Sequence, residues 1–268
     1  MSFRKARVYK QIIKTGIIRS LTYKFQVYSN ILMQTIIMVA SAYFWKALFK
    51  NAESVKGVSI DTMLVYIIIS SAISIVLSTN VERRIEESVE RGSVAVDLMR
   101  PINVFSIYFA EDIASLIALF FQNIIPVLVI GTIIIGIPKP VSATAFLLFI
   151  LSLFMAYMIN WFIAVMFGMI CFSQVRVSAL FQVKKHLIRL LSGSLIPIWF
   201  FPEWLQRVLK TLPFAYLYQL PLDIYVGKSD SFEIMMGLIV QLIWMIITFA
   251  LFMHFQKEVT KKVLVQGG

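Results

Sequence analysis

Six stretches of this chain stay apolar for about twenty residues or more, at roughly 27–49, 60–80, 104–136, 143–172, 177–199 and 232–255. A run of that length crosses the hydrocarbon core of a bilayer as a helix. Inside that core the backbone must satisfy its own polar groups, which leaves helices or a closed barrel. The chain is therefore predicted to be an all-α integral membrane protein with six transmembrane helices. Charged residues make up only 15% of it, against about a quarter in soluble domains. The six runs leave no stretch of the about 50 residues that a separate folded domain needs. There is no Gly-x4-Gly-Lys-Ser/Thr loop, so the chain does not bind a nucleotide in that way.

The net charge of +11 raises the question of nucleic acid, and its distribution answers it. The N-terminus, the 81–103 loop, the 173–190 region and the C-terminus together carry 18 Lys and Arg, and the opposite loops carry 7. Lys and Arg accumulate on the cytoplasmic side, so both termini are expected there, as an even number of spans requires. The basic excess reads as topology, with attraction to anionic lipid as its consequence and no nucleic-acid partner. No cleaved leader is expected, since Tyr43, Phe44 and Trp45 continue the first apolar run past Ala40-Ser41-Ala42. Cys171 is the single cysteine; in an apolar run it reads as a small buried hydrophobe.

Four of the eight prolines, Pro197, Pro202, Pro213 and Pro221, fall between Ser192 and Gly227. Each removes an N–H and disfavours helix at the residue before it. The same stretch is rich in Trp, Phe, Tyr and Leu, unlike a solvated loop. Short re-entrant helices, shielded by protein, fit both facts; Trp199, Trp204, Tyr216 and Tyr218 then sit at headgroup level. An external loop with aromatic anchors is the alternative. Residues 192–231 are thus marked as a separate outer region of a single transmembrane domain spanning 1–268.

At the other end, Ala6, Tyr9, Ile13 and Ile17 recur at helical steps opposite Arg7, Lys10, Gln11 and Lys14. Residues 4–26 are predicted to hold a helix lying in the membrane interface, or else a plain basic flank. In the second run Ser70, Ser74 and Ser78 form a small-residue stripe suited to close helix packing. The loop 81–101 is the most charged part of the chain. Its Val81, Ile85 and Val89 make an apolar stripe beside Glu82, Glu86 and Glu90, and Gly92 and Pro101 suit helix ends. Two short helices, 81–91 and 94–100, are expected, forming a docking surface for a cytoplasmic partner. Pro126 should kink the third span. Polar residues within spans, among them Gln34, Asp112, Asn123, Asn160 and Gln241, serve as helix glue or, together, line a pathway. Lys184, Lys185 and Arg189 form a cationic cluster that snorkels to the interface or contacts anionic lipid headgroups. No His/Cys/carboxylate set supports a metal site, and no nucleophile–base constellation supports catalysis.

A succession of short motifs runs through the chain. Gly92-Ser93 leads to Arg100-Pro101, and Ser192-Gly193 to Ile196-Pro197 and then Phe201-Pro202-Glu203-Trp204-Leu205. Leu212-Pro213-Phe214, Pro221, Gly227 and the closing Val265-Gln266-Gly267-Gly268 follow. In this order the chain resembles the membrane permease subunits of ATP-binding-cassette type-2 exporters, and within them a bacterial branch with two different paired permeases. The resemblance implies a nucleotide-binding ATPase partner that holds ATP and Mg, with no cofactor in this chain. It also implies a second, paralogous permease, residence in a bacterial plasma membrane, and export as the activity. On that basis ATPase coupling is expected at Glu86, Glu87, Glu90, Arg91, Gly92, Ser93, Asp97 and Arg100. The outer gate is expected at Pro197, Trp199, Phe200, Phe201, Pro202, Trp204, Pro213 and Phe214. A non-transporting structural or sensor subunit and a secondary transporter remain as other readings; the latter would want mid-membrane charges and an internal repeat.

Overall fold

The computed structural model describes residues 2–20, 24–50, 54–93, 103–174 and 177–266. They are predominantly helical. In chain order the elements are α1 (Ser2–Ser20), α2 (Lys24–Leu48), a two-stranded hairpin of β1 (Ser54–Val55) and β2 (Val58–Ser59), α3 (Ile60–Val76), α4 (Val81–Glu90) and α5 (Val104–Leu119). Then come α6 (Ile125–Ile134), α7 (Ala143–Met169), α8 (Ser178–Leu191), α9 (Glu203–Thr211), α10 (Ala215–Val226) and α11 (Ser231–Gln266). Side-chain oxygens start several of the helices, Asp230 among them, which accepts from the Glu233 N–H ahead of α11. Ser59 accepts from the Thr62 N–H, Asn103 from Phe105 and Ser142 from Ala145, satisfying N–H groups that the first helical turn leaves open.

Among the described residues five helical stretches are long and apolar enough to cross a membrane: Phe25–Leu48, Ile60–Glu90, Val104–Ile134, Ala143–Phe172 and Ser231–Lys261. The run at 177–199 differs from its expectation of one straight span. Its helix stops at Leu191, and Gly193 takes a φ of +87°, a left-handed conformation that ends the helix. Bends and a short 3-10 turn at Ile198–Phe200 follow. The third span holds a π-helical turn at Phe120–Ile124, directly ahead of Pro126. The missing proline N–H and this widened turn are local irregularities of the kind that kink helices.

α7 is the spine. Ala156, Ile159, Ala164 and Val165 are wholly buried, and α11, α10 and α4 pack around it. Small side chains along α7 let neighbours come close where lipid gives no hydrophobic drive. At Gly168 the approach is closest: a Cβ there would lie 2.7 Å from Ile85 Cδ1 and 3.0 Å from Glu82 Cα. α1 lies along α5, with Gly16 directly against Ala114; Tyr9, Ile13 and Ile17 are half-buried while Arg7, Lys10 and Lys14 are exposed. Ser2–Ser20 is therefore an amphipathic helix seated on the bundle through its apolar face.

The two ends of the bundle are distinct. At one end α4 meets the start of α8, where Glu86 Oε1 accepts from the Val177 N–H at 3.2 Å. At the other, the hairpin meets the loops beyond α6 and α10. There Val141 N–H donates to Tyr225 O at 3.2 Å, Tyr225 Oη to Pro138 O at 2.7 Å, and Lys228 Nζ to Lys56 O at 3.4 Å.

Candidate functional site

Between α2, α3, α4 and α8 lies a cleft of about 1060 Å³. Its long wall is α3, whose Ser70, Ser71 and Ser74 line it, with Ser78 just beyond the helix end. The stripe of Ser70, Ser74 and Ser78 therefore lines a space. Their hydroxyl protons are spent on carbonyls: Ser70 donates to Ser194 O, Ser71 to Ile67 O, Ser74 to Ser71 O and Ser78 to Ile75 O. Gln34 of α2 donates to Ser71 O at 3.1 Å and to the Ser74 hydroxyl. Asn160 of α7 donates to Leu77 O at 2.7 Å. This last bond satisfies the end of α3 and fixes the turn into α4.

Next to the hairpin end of the cleft, behind Tyr66, lies a buried polar knot. Tyr66 Oη donates to Gly193 O at 2.7 Å and to Gln219 Oε1 at 3.1 Å. Gln219 Oε1 also accepts from the Ile198 N–H at 2.7 Å, and its amide nitrogen donates to Asp223 Oδ1 at 2.6 Å. One side chain on α10 thus satisfies backbone freed where the helical path breaks, as broken backbone at membrane depth requires. Gly193 has no room for a side chain, because a Cβ would collide with Gln219 Oε1. Above the knot, Trp199 packs edge-on against Tyr66 at 5.2 Å and Phe200 lies 4.8 Å from Trp45. Lys56 from the hairpin donates to Trp199 O at 3.2 Å and reaches the Phe200 and Phe201 carbonyls.

Of the residues expected in an outer gate, Pro197, Trp199, Phe200 and Phe201 come together in this cap, with Pro202 at its edge. Pro213 and Phe214 sit at the turn into α10, beside the buried core. Trp204 does not join them; it is 66% exposed on α9. α10 is largely buried against α7 and α3, which a loop with aromatic anchors would not be.

The opposite end of the cleft is its charged mouth. The α4 stripe Val81 and Ile85 is buried against α7. Charged residues that sequence spacing treated alike are sorted by the fold. Arg84 turns inward and meets Asp112 Oδ1 at 2.9 Å, while Trp161 Nε1 donates to Asp112 Oδ2 at 3.0 Å. Glu82 pairs with Lys184. Glu86, expected among the ATPase contacts, is only 8% exposed and is engaged by Val177. Its apolar neighbours on α4 carry it inward, so it holds α8 rather than offering a free carboxylate. Glu87, between Arg83 at 3.5 Å and Arg91 at 3.7 Å, is half-exposed, and Glu90, Arg91 and Gly92 are exposed. Ser93 lies 3.1 Å from Ser88. Asp97 and Arg100, and the expected helix at 94–100, lie outside the described residues.

The Arg84–Asp112–Trp161 set went unread in the sequence. The signals were present, an intramembrane acid at Asp112 and an indole N–H at Trp161, but nothing in the spacing joined them to Arg84. Lys184 is likewise removed from the anticipated free cationic cluster, leaving Lys185 and Arg189 on the cleft wall. Among the described residues no group of three His, Cys, Asp or Glu side chains stands close enough to hold a metal ion.

A multi-pass helical bundle with a deep polar cleft, and a charged helix fixed at its mouth, defines a membrane permease domain. The chain belongs to the ABC-2 family of transporter proteins, whose family model matches residues 15–262. It is thus a permease component of an ABC transporter, and that family membership implies an ATP-binding partner subunit. No curated protein matches the chain.

Proposed function

We propose that this chain is one permease of an ABC exporter, carrying an amphiphilic substrate outward through the cleft along α3. The observation that supports this best is the asymmetry of the cleft, charged and open beside α4 and bounded at the hairpin end by the Tyr66–Gln219 knot and the Trp199 cap. An inward-facing resting state has that form. With the basic flanks inside, the α4 end and both termini are cytoplasmic, and the membrane is a bacterial plasma membrane. α8 and the broken segment 192–201 then make the sixth crossing. α9 and α10 re-enter from outside and form the gate region within 192–231. α1 lies along the inner surface within 4–26.

Power comes from a separate ATPase that binds ATP and Mg. It docks on the 81–101 loop through Glu87, Glu90, Arg91 and Gly92, with Ser93, Asp97 and Arg100 completing the surface. A paralogous permease closes the open flank formed by α2 and α8, and anionic lipid surrounds the basic flanks. The test is co-expression with the candidate ATP-binding subunit. Reversing the charge of Glu87 and Glu90 together should reduce its co-purification, or uncouple ATP hydrolysis from export in proteoliposomes. Unchanged assembly and transport would refute the docking assignment.

A further inference from the structure

Cation–carboxylate matching along the cleft is uneven. Glu82 is matched by Lys184, and Glu87 by Arg83 and Arg91. Glu86 is turned to the Val177 N–H, and Glu90 stays at the exposed rim. On the facing wall Lys185 and Arg189 have no carboxylate within 4.0 Å among the described residues. Arg189 is half-buried, eleven residues beyond the start of α8, about 17 Å along the helix axis at ~1.5 Å per residue. Its side chain lines the cleft and is only partly exposed. A partly buried arginine with no carboxylate beside it favours an anionic group that enters the cleft.

The surroundings show what could answer it. The serine hydroxyls of α3 and of Ser78 beyond it have given their protons to backbone carbonyls, so they offer an incoming group acceptors only. Tyr218 lines the same part of the cleft, is 5% exposed, and has no hydrogen-bond partner for its hydroxyl among the described residues. The Arg189 guanidinium and the Tyr218 hydroxyl are donors that an incoming group can use there, with the Lys185 ammonium nearer the mouth. Apolar surface lies beside them: Met63, Ile67, Ile188 and Leu195 line the cleft. A planar guanidinium is suited to two-pronged binding of carboxylate or phosphate oxygens.

We infer that the cleft selects an anionic amphiphile, whose phosphate or carboxylate head is held by Arg189 and Tyr218 while its chain lies along the apolar wall. This rests on the reading of the cleft as the transport path and adds the substrate's charge class. Neutral and cationic amphiphiles of the same chain length are disfavoured because they leave the half-buried guanidinium without a counter-charge.

The test is binding to the nucleotide-free permease–ATPase complex in nanodiscs of neutral lipid, followed by tryptophan fluorescence. The probes are lysophosphatidic acid, a monoacylglycerol with the same acyl chain, the corresponding acylcholine, and inorganic phosphate. Lysophosphatidic acid should bind at least about tenfold more tightly than the other three, a difference typical of one charged hydrogen bond. Arg189→Gln should reduce its affinity to that of the monoacylglycerol, Arg189→Lys should keep part of the preference, and Tyr218→Phe should lose a few-fold. The wild-type comparison decides the matter even if a variant does not fold. Equal binding of the neutral or cationic probe overturns the inference, and so does phosphate binding as tightly as the lysolipid. ATP-driven transport of a neutral or cationic amphiphile by the same complex would leave the transport reading standing and remove this one alone. A complex that binds lysophosphatidic acid selectively but never moves it would do the reverse.

Discussion

Arg84 Nη1 on α4 lies 2.9 Å from Asp112 Oδ1 on α5, where the Asp112 side chain is only 3% exposed. The pair joins the helix at the mouth of the cleft to the first third of the span Val104–Ile134, and Trp161 Nε1 on α7 donates to the second carboxylate oxygen. Glu111 and the Ser115 hydroxyl also lie against the guanidinium, at 3.5 and 3.3 Å. A push on the exposed side of α4 therefore reaches α5 and α7 directly, without a flexible linker. Removing one partner leaves a buried charge uncompensated, which costs about 3–5 kcal/mol. Arg84→Ala should lower the thermal unfolding midpoint of the detergent-solubilised protein strongly. Arg84→Met combined with Asp112→Leu should recover most of the loss.

Packing supplies a second rigid link. Because Gly168 faces Ile85 Cδ1 and the Glu82 backbone, any side chain there must displace α4. The Ile85 end can rotate away, but the Glu82 Cα cannot. Gly168→Val should cost about 1–3 kcal/mol as overpacking. It should also weaken co-purification of the ATP-binding subunit although residue 168 is buried and cannot touch it. Pull-down yield compared with Val165→Ile, a buried α7 change elsewhere, checks this.

The hairpin end has an equally specific weak point. Gly193→Ala places a non-glycine residue at φ +87° and drives its Cβ into Gln219 Oε1. Strain of about 1–3 kcal/mol should come with loss of the bonds from Gln219 to Tyr66 and Ile198. A cysteine at position 198 should then react with an impermeant maleimide added from outside, in the Ala variant and not in the parent. A buried Gln219→Ala change should open the same position.

Much of this architecture was legible in the sequence. Runs of apolar residues located five helices. The Tyr9/Ile13/Ile17 period located α1, and four prolines among aromatics marked 192–227 as broken yet shielded. The helix stripe of Val81 and Ile85 also faces inward as its spacing requires. What spacing could not supply was pairing across the bundle. Glu82, Glu86 and Glu90 repeat every four residues and look equivalent, yet one meets Lys184, one meets the Val177 N–H and one meets solvent. Arg84 finds its acid 28 positions further along the chain. The helix 177–199 was over-read because hydropathy continues past Leu191 while the backbone turns at Gly193. Tyr66 and Gln219 gave no signal, since a single Tyr or Gln in an apolar run looks the same whether it faces a neighbour or a cavity.

Accessibility of the cleft is the most direct test of the whole account. Ser74→Cys, in a Cys171→Ala background assembled with the ATP-binding subunit, should react with an impermeant maleimide only from the cytoplasmic face when nucleotide is absent. With ATP and vanadate that labelling should fall and labelling from the outer face should rise. Reaction from the outer face in the resting complex, or a pattern indifferent to nucleotide, would contradict it.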